Sequence, residues 1–321
     1  MNLSTPVIIK KSAFSIAHHR PVFLIGSCFT THIGNKLTDS KLDAFINPTG
    51  IVFNPISVVG ALKSVFNQQA FTGSHLNHHQ DKWFSFQHHS SFSSFNKEAC
   101  LTKINTKINA AHLHLKKSHT IFITLGSAWV YEYKDVGIVA NCHKIPHQQF
   151  TKRLLSVKEI LSAFSTIQTL LKPYNVVFTV SPVRHIKEGL HENNLSKSTL
   201  LLAINNLVEQ QHNYHYFPAY ELIIDELRDY RFYKDDMVHP THLAVDFVWE
   251  KLMDCYFEEA TKELVATLQK IKLAVNHIPF NFESEAHQQF VKKQVNLMND
   301  LSKKYDFLDF EAEIKQINTP K

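Results

Sequence analysis

No apolar run in this chain approaches the ~20 residues that a membrane-spanning helix needs. No basic start followed by an apolar stretch marks the N-terminus as a secretory signal. Cysteine is scarce, with Cys28, Cys100, Cys142 and Cys255 the only four in 321 residues. That is too few for a disulfide framework and fits a reducing compartment, so a cytoplasmic location is expected. Lys and Arg form no block resembling a nucleic-acid arm, and the formal net charge of +5 is scattered. Neither a nucleic-acid nor a membrane partner is expected. Among 21 histidines no His-Glu-x-x-His occurs, and His239 with His242 lacks a third ligand, so no metal or other cofactor is expected. No Gly/Ser-rich linker divides the chain into independent domains, and nothing in it speaks to oligomeric state.

Hydrophobic residues make up 44% and charged residues 20%, a balance that lets a chain of this length bury a sizeable core. Short β-rich runs alternate with helix-like segments, which argues for an α/β fold with a parallel sheet. The expected strands are Val22–Ile25, Ala44–Ile46, Thr120–Leu125, Val176–Val180 and Tyr216–Phe217. Helices are expected over Thr30–Leu37, Pro55–Phe66, Lys97–Lys116, Val157–Leu171 and Ser196–Gln211, with a long one from Thr241 past Glu258. Between Phe71 and Phe95 the chain reads as an irregular excursion whose aromatic residues line a cleft or cover the sheet edge. Residues 1–257 are read as the main domain and 258–321 as a helical appendage.

Several strands end in turn residues, and open α/β sheets place ligands at the carboxyl ends of their strands. The first such end, Gly26-Ser27-Cys28-Phe29, passes from a strand through a Gly-Ser turn into a helix. That geometry exposes a hydroxyl beside the N–H groups of a helix start, which can hold a tetrahedral oxyanion. A serine that merely caps the helix gives the same pattern, and a serine without a base is unreactive at neutral pH. Cys28 is the rival nucleophile, since a helix N-terminus lowers a thiol pKa. Adjacent residues leaving a strand point apart, however, and Ser27 is favoured, with Cys28 expected to face the core.

Late in the chain, Lys234-Asp235-Asp236-Met237-Val238-His239-Pro240 precedes a helix. The three-residue offset lets the Asp236 carboxylate reach the His239 imidazole, fix its tautomer and leave the other ring nitrogen free to take a serine proton. Asp235 is the reserve carboxylate.

Together these turns resemble the SGNH/GDSL hydrolase superfamily, and within it the GSCFA family. The chain reads Gly26-Ser27-Cys28-Phe29-Thr30, with Thr where the family name has Ala. Asn47 to Pro55, Leu125 to Tyr131, Asn141 to Lys144, Ser181 to His185, Arg228 to Tyr233 and Asp236 to Pro240 are similar to the family as well. The resemblance implies a three-layer α/β/α sandwich with a five-stranded parallel sheet. It also implies a Ser27-His239-Asp236 triad and Gly50 as an oxyanion donor through its N–H. The Ser27 N–H is the second backbone donor expected. Where the superfamily carries Gly-x-Asn after the third strand, this chain has Gly126-Ser127-Ala128-Trp129. Asn141 and the Ser127 hydroxyl are the candidates to replace the missing donor.

Other polar residues have two readings. His143 touches substrate, or Asn141 to Lys144 is a loop held by its own hydrogen bonds. Arg184, followed by His185, binds a substrate carboxylate or phosphate through its planar fork, or pairs with Asp229. The expected activity is metal-independent cleavage of an acyl ester, on a small molecule or an acylated carbohydrate. Acyl transfer through the same site and non-catalytic ligand binding on the same fold are the alternatives.

Overall fold

The computed structural model describes residues 5–320. The first half of the chain forms β1 (Val22–Gly26), α1 (Cys28–Asp39), β2 (Ala44–Ile46), α2 (Pro55–Phe66), β3 (Asn77–His79), β4 (Lys82–Phe84), α3 (Lys97–Lys117), β5 (Thr120–Leu125), β6 (Trp129–Tyr133), β7 (Gly137–Val139) and β8 (Phe150–Leu154). The second half adds α4 (Val157–Ser165), α5 (Gln168–Leu171), β9 (Asn175–Val180), α6 (Leu190–Gln210), β10 (Tyr214–Tyr216), α7 (Ala219–Glu221), α8 (His242–Tyr256), α9 (Glu259–Asn276), α10 (Glu285–Lys304) and α11 (Glu311–Ile317).

Five strands pair in parallel in the order β10-β9-β5-β1-β2. Every residue of β1 and β5 is buried, as expected of strands covered on both faces. Alternate residues divide between two cores. Phe23 and Ile25 pack with residues of α2, α3, α4 and α6, whereas Val22 and Leu24 pack with α1 and α8. The protein is therefore a three-layer α/β/α sandwich. From β1 the chain moves outward to β2, then returns to β5 on the other side of β1. The carboxyl ends of β1 and β5 flank this topological switch, where such sheets open a crevice.

Several elements depart from the pattern read in the sequence. The excursion contains the β3–β4 hairpin, and β6, β7 and β8 form a three-stranded antiparallel sheet. Phe71 and Phe92 of the excursion enter the main core, while Phe84 and Phe86 build a satellite with Val139 and Ile145. These four aromatic residues cover structure. The expected helix over Val157–Leu171 breaks at Ile167, the expected start at Ser196 lies at Leu190, and the last sheet strand begins at Tyr214. The long helix after His239 stops at Tyr256 because Phe257 turns extended and bridges Ile16. Helices α9 to α11 then bury a cluster of their own. Among the described residues, no helix is long and apolar enough to cross a membrane.

Candidate active site

Gly26 lets the end of β1 lie directly on β5. Its φ is +147°, and a Cβ there would stand 2.2 Å from the Thr124 carbonyl oxygen. Ser27 N–H donates to that oxygen at 3.1 Å. Asn47, itself in the left-handed region at φ 47°, clamps the turn from β2. Its Oδ1 accepts the Gly26 N–H at 2.9 Å and its Nδ2 donates to Thr31 Oγ1 at 3.1 Å. The chain then enters α1 with Ser27 as N-cap, Oγ accepting the Phe29 N–H at 3.2 Å. The capping bond uses an oxygen lone pair and leaves the hydroxyl proton free to be donated.

The turn from Lys234 to Pro240 is self-contained. Asp236 Oδ1 accepts the N–H groups of Val238 and His239, each at 2.9 Å, while Oδ2 takes a 2.8 Å bond from His239 Nδ1. Met237 adopts a left-handed φ of 56° to close the loop. Lys234 N–H closes it from outside by donating to the His239 carbonyl at 2.8 Å. Those N–H bonds, more than the imidazole, hold the Asp236 carboxyl down at about 2. With Nδ1–H directed at the carboxylate, Nε2 is the basic nitrogen, and it makes no hydrogen bond among the described residues.

A cleft of about 280 Å³ lies beside the turns, lined by Phe53, Ser127, Trp129, Arg184, His185 and Val238 among others. A Cβ on Gly126 would sit 2.9 Å from Phe53 Cβ and 3.4 Å from Ser27 Cβ. Gly126 thus lies next to both Ser27 and Phe53, and Phe53 lines a cleft whose lining also includes the residue before His239. The Cys28 side chain, half-buried, packs against the core shared by α1 and α8. Burial pushes its thiol pKa up, with the backbone at Phe29 and Cys28 opposing. A thiol held protonated is a poor nucleophile.

Lys197 escaped the sequence reading. It lies on the apolar face of α6, 1% exposed, and its Nζ donates to the carbonyls of Gly126 and Ser181, both at 2.7 Å. It therefore ties together the carboxyl ends of β5 and β9 beneath the candidate site. Desolvation drives its pKa down to about 7. A neutral amine has two protons, one for each carbonyl. The available signal was a lysine in register with buried Leu200, Ile204 and Leu207. Asn47, seen in the sequence only as part of an Asn-Pro turn, was missed as the clamp on Gly26.

The backbone N–H groups expected to hold the oxyanion are engaged elsewhere. Ser27 N–H completes the sheet, and Gly50 N–H closes a turn onto the Asn47 carbonyl at 2.9 Å. Gly50 is also tightly covered, since a Cβ there would meet His89 Cβ at 2.4 Å. The Ser127 hydroxyl accepts the Trp129 N–H at 3.0 Å and bonds Ser196 Oγ at 3.2 Å. Asn141 Oδ1 caps the His143 N–H at 2.8 Å, in a loop packed on Phe84 and Phe86 instead of the Ser27 turn. The His143 ring stacks on Phe84 at 4.1 Å, with Nε2 between the carbonyls of Ser85 and His88. Burial lowers its pKa to about 4, so the ring pins the excursion as a neutral group. Arg184 and His185 do line the cleft. Asp229, the acid weighed as partner for Arg184, instead bonds Arg231 at 2.9 Å. Among the described residues, no three or more His, Cys, Asp or Glu side chains converge as a metal site.

A parallel three-layer α/β protein with polar turns at the carboxyl ends of its central strands is the class this architecture defines. Within it, the chain belongs to the GSCFA family, whose sequence profile matches residues 21–252. A second profile, the C-terminal domain of GSCFA domain proteins, matches residues 268–319. No curated protein matches the chain. Among solved structures, a carbohydrate esterase family 3 protein from Talaromyces cellulolyticus aligns over 78% of this chain and 99% of its own. The identity is 9% and the TM-score 0.34, a likeness that bears on neither fold nor function.

Proposed function

We propose that this protein is a serine ester hydrolase of the SGNH type, acting on a small or carbohydrate-borne acyl ester. Ser27 Oγ attacks the acyl carbon as its proton passes to His239 Nε2, and Asp236 stabilises the imidazolium that forms. The alcohol leaves with that proton. Water, deprotonated in turn by His239, cleaves the acyl-serine and restores the hydroxyl. Transfer of the acyl group to a second alcohol differs only in what replaces water. The observation that carries this reading is the Asp236–His239 bond of 2.8 Å, which makes Nε2 the basic nitrogen beside the cleft. The positive end of α1 at Ser27 supplies a field for the oxyanion.

Ligand binding without chemistry has one observation in its favour, the engagement of the expected donor amides in turn and sheet bonds. One such donor is worth about 10²–10³ in turnover, so a slow enzyme is expected unless the Asn47–Gly50 turn opens on binding. Steady-state hydrolysis of a short-chain aryl ester tests the assignment. Ser27→Ala and His239→Gln should each lower kcat by about 10³ or more, whereas folded Cys28→Ala should keep turnover. Loss in Cys28→Ala with retention in Ser27→Ala would reverse the nucleophile.

A further inference from the structure

A second cavity, of about 300 Å³, adjoins the cleft through the shared residue Arg184. Its walls come from the segment after β9, the start of α6, and the stretch from Tyr220 to Tyr233. Residues Leu222–Leu227 there form a π-helix that ends on Arg228 in the left-handed region at φ 37°. Such a widened turn is often found at functional sites. It brings a second arginine to the cavity that holds Arg184.

Among the described residues, neither Arg184 nor Arg228 forms an ion pair. The acid lining this cavity, Asp229, is held by Arg231 through its backbone N–H at 2.8 Å and its guanidinium at 2.9 Å. On its other side Arg228 borders a groove containing Asp225 and Glu226. Glu226 already accepts the Val7 N–H at 2.8 Å and lies 3.4 Å from Lys251 Nζ. Tyr233, another lining residue, is 9% exposed, and its hydroxyl is buried with no hydrogen-bond partner. Its ring lies 5.8 Å from the Arg184 guanidinium. Two arginines without an ion-pair partner lining one cavity define what it would take. That is an anion with two or more oxygens, matched to the planar guanidinium fork.

We propose that this cavity is an anion subsite in which Arg184 and Arg228 bind a carboxylate or phosphate group carried by the substrate. The Arg184 N–H donates to the Val238 carbonyl at 3.2 Å, and Val238 precedes His239. One backbone hydrogen bond thus ties the Arg184 segment to the turn that carries the base. The assignment of the anion to an ester substrate rests on the hydrolase reading, whereas the existence of the subsite does not.

The test has two arms on the full chain. In the first, inorganic phosphate and acetate are titrated calorimetrically into wild type, Arg184→Gln and Arg228→Gln, each checked for cooperative unfolding. Saturable binding of one anion, weakened about tenfold or more in either variant, is expected for a charge-assisted fork. Preference between the two anions identifies which group the site takes. Absence of binding to wild type, or affinity unchanged in both variants, overturns the subsite. In the second arm, kcat/KM is compared for an aryl monoester of a dicarboxylic acid and a neutral aryl ester of equal chain length. The anionic-to-neutral ratio should fall about tenfold or more in Arg228→Gln. Phosphate or acetate binding lost in the variants while neither ester is cleaved by wild type sinks the hydrolase reading and keeps the subsite. Cleavage with a ratio indifferent to both substitutions separates the anion from the substrate.

Discussion

At the residue scale, the candidate site rests on contacts of two kinds. The Asp236–His239 bond lies within a four-residue turn, so spacing alone makes it readable. The burial of Lys197 depends on carbonyls 71 and 16 residues away, and no local pattern announces them. The same distinction explains the donors. Ser27, Gly50 and Ser127 are polar or turn residues beyond the carboxyl ends of β1, β2 and β5, but whether an N–H or hydroxyl is free depends on turns that motif spacing does not reveal, and Asn141 follows β7 of the accessory sheet. Lys197 gives a test with a definite sign. Its ordinary value of 10.5 falls to about 7 in the folded protein. Between those values the unfolded chain holds the proton and the folded one does not, so the lysine's cost to stability is full below about pH 7 and relieved as pH rises toward 10.5. The unfolding free energy of wild type minus that of Lys197→Met, from urea denaturation, should therefore grow between pH 7 and pH 9. A difference independent of pH in that window would mean the lysine titrates normally.

The strands and helices of the sandwich are legible because burial on both faces writes continuous apolar runs into β1, β5 and β9. The accessory sheets are not, because β6 and β8 mix aromatic with charged residues and are mostly half-buried. Their strand state is decided by pairing with each other, a long-range fact. Element boundaries also carry the site. Phe53 directly precedes the N-cap of helix α2, with Asn54 Oδ1 accepting the Ser57 N–H at 2.8 Å and Pro55 opening the first turn. The Phe53 carbonyl in turn accepts the Gly126 N–H at 2.8 Å. Asn54→Ala removes the cap and should cost about 1 kcal/mol of stability in urea denaturation, with Asn54→Asp keeping most of it. Equal stability of all three proteins would show that the cap does not hold this corner.

Across the whole molecule, the helical tail is fastened to the opposite end of α1 from Ser27. Lys41 pairs with Glu313 at 2.7 Å and Lys272 with Asp39 at 2.7 Å. Twelve residues of α1 separate the two ends, about 18 Å at 1.5 Å per residue. The tail therefore braces the sandwich and does not line the candidate site, which draws on β1, β5, the segment after β9 and the turn before α8. What joins these parts into one account is the reactivity of a single hydroxyl. Incubation with a serine-directed fluorophosphonate, followed by intact-mass and peptide analysis, reads it directly. One phosphonyl adduct on Ser27 is predicted in wild type and in Cys28→Ala, none in Ser27→Ala, and slower labelling in His239→Gln. An unlabelled wild-type protein, or an adduct that persists in Ser27→Ala, would contradict the account.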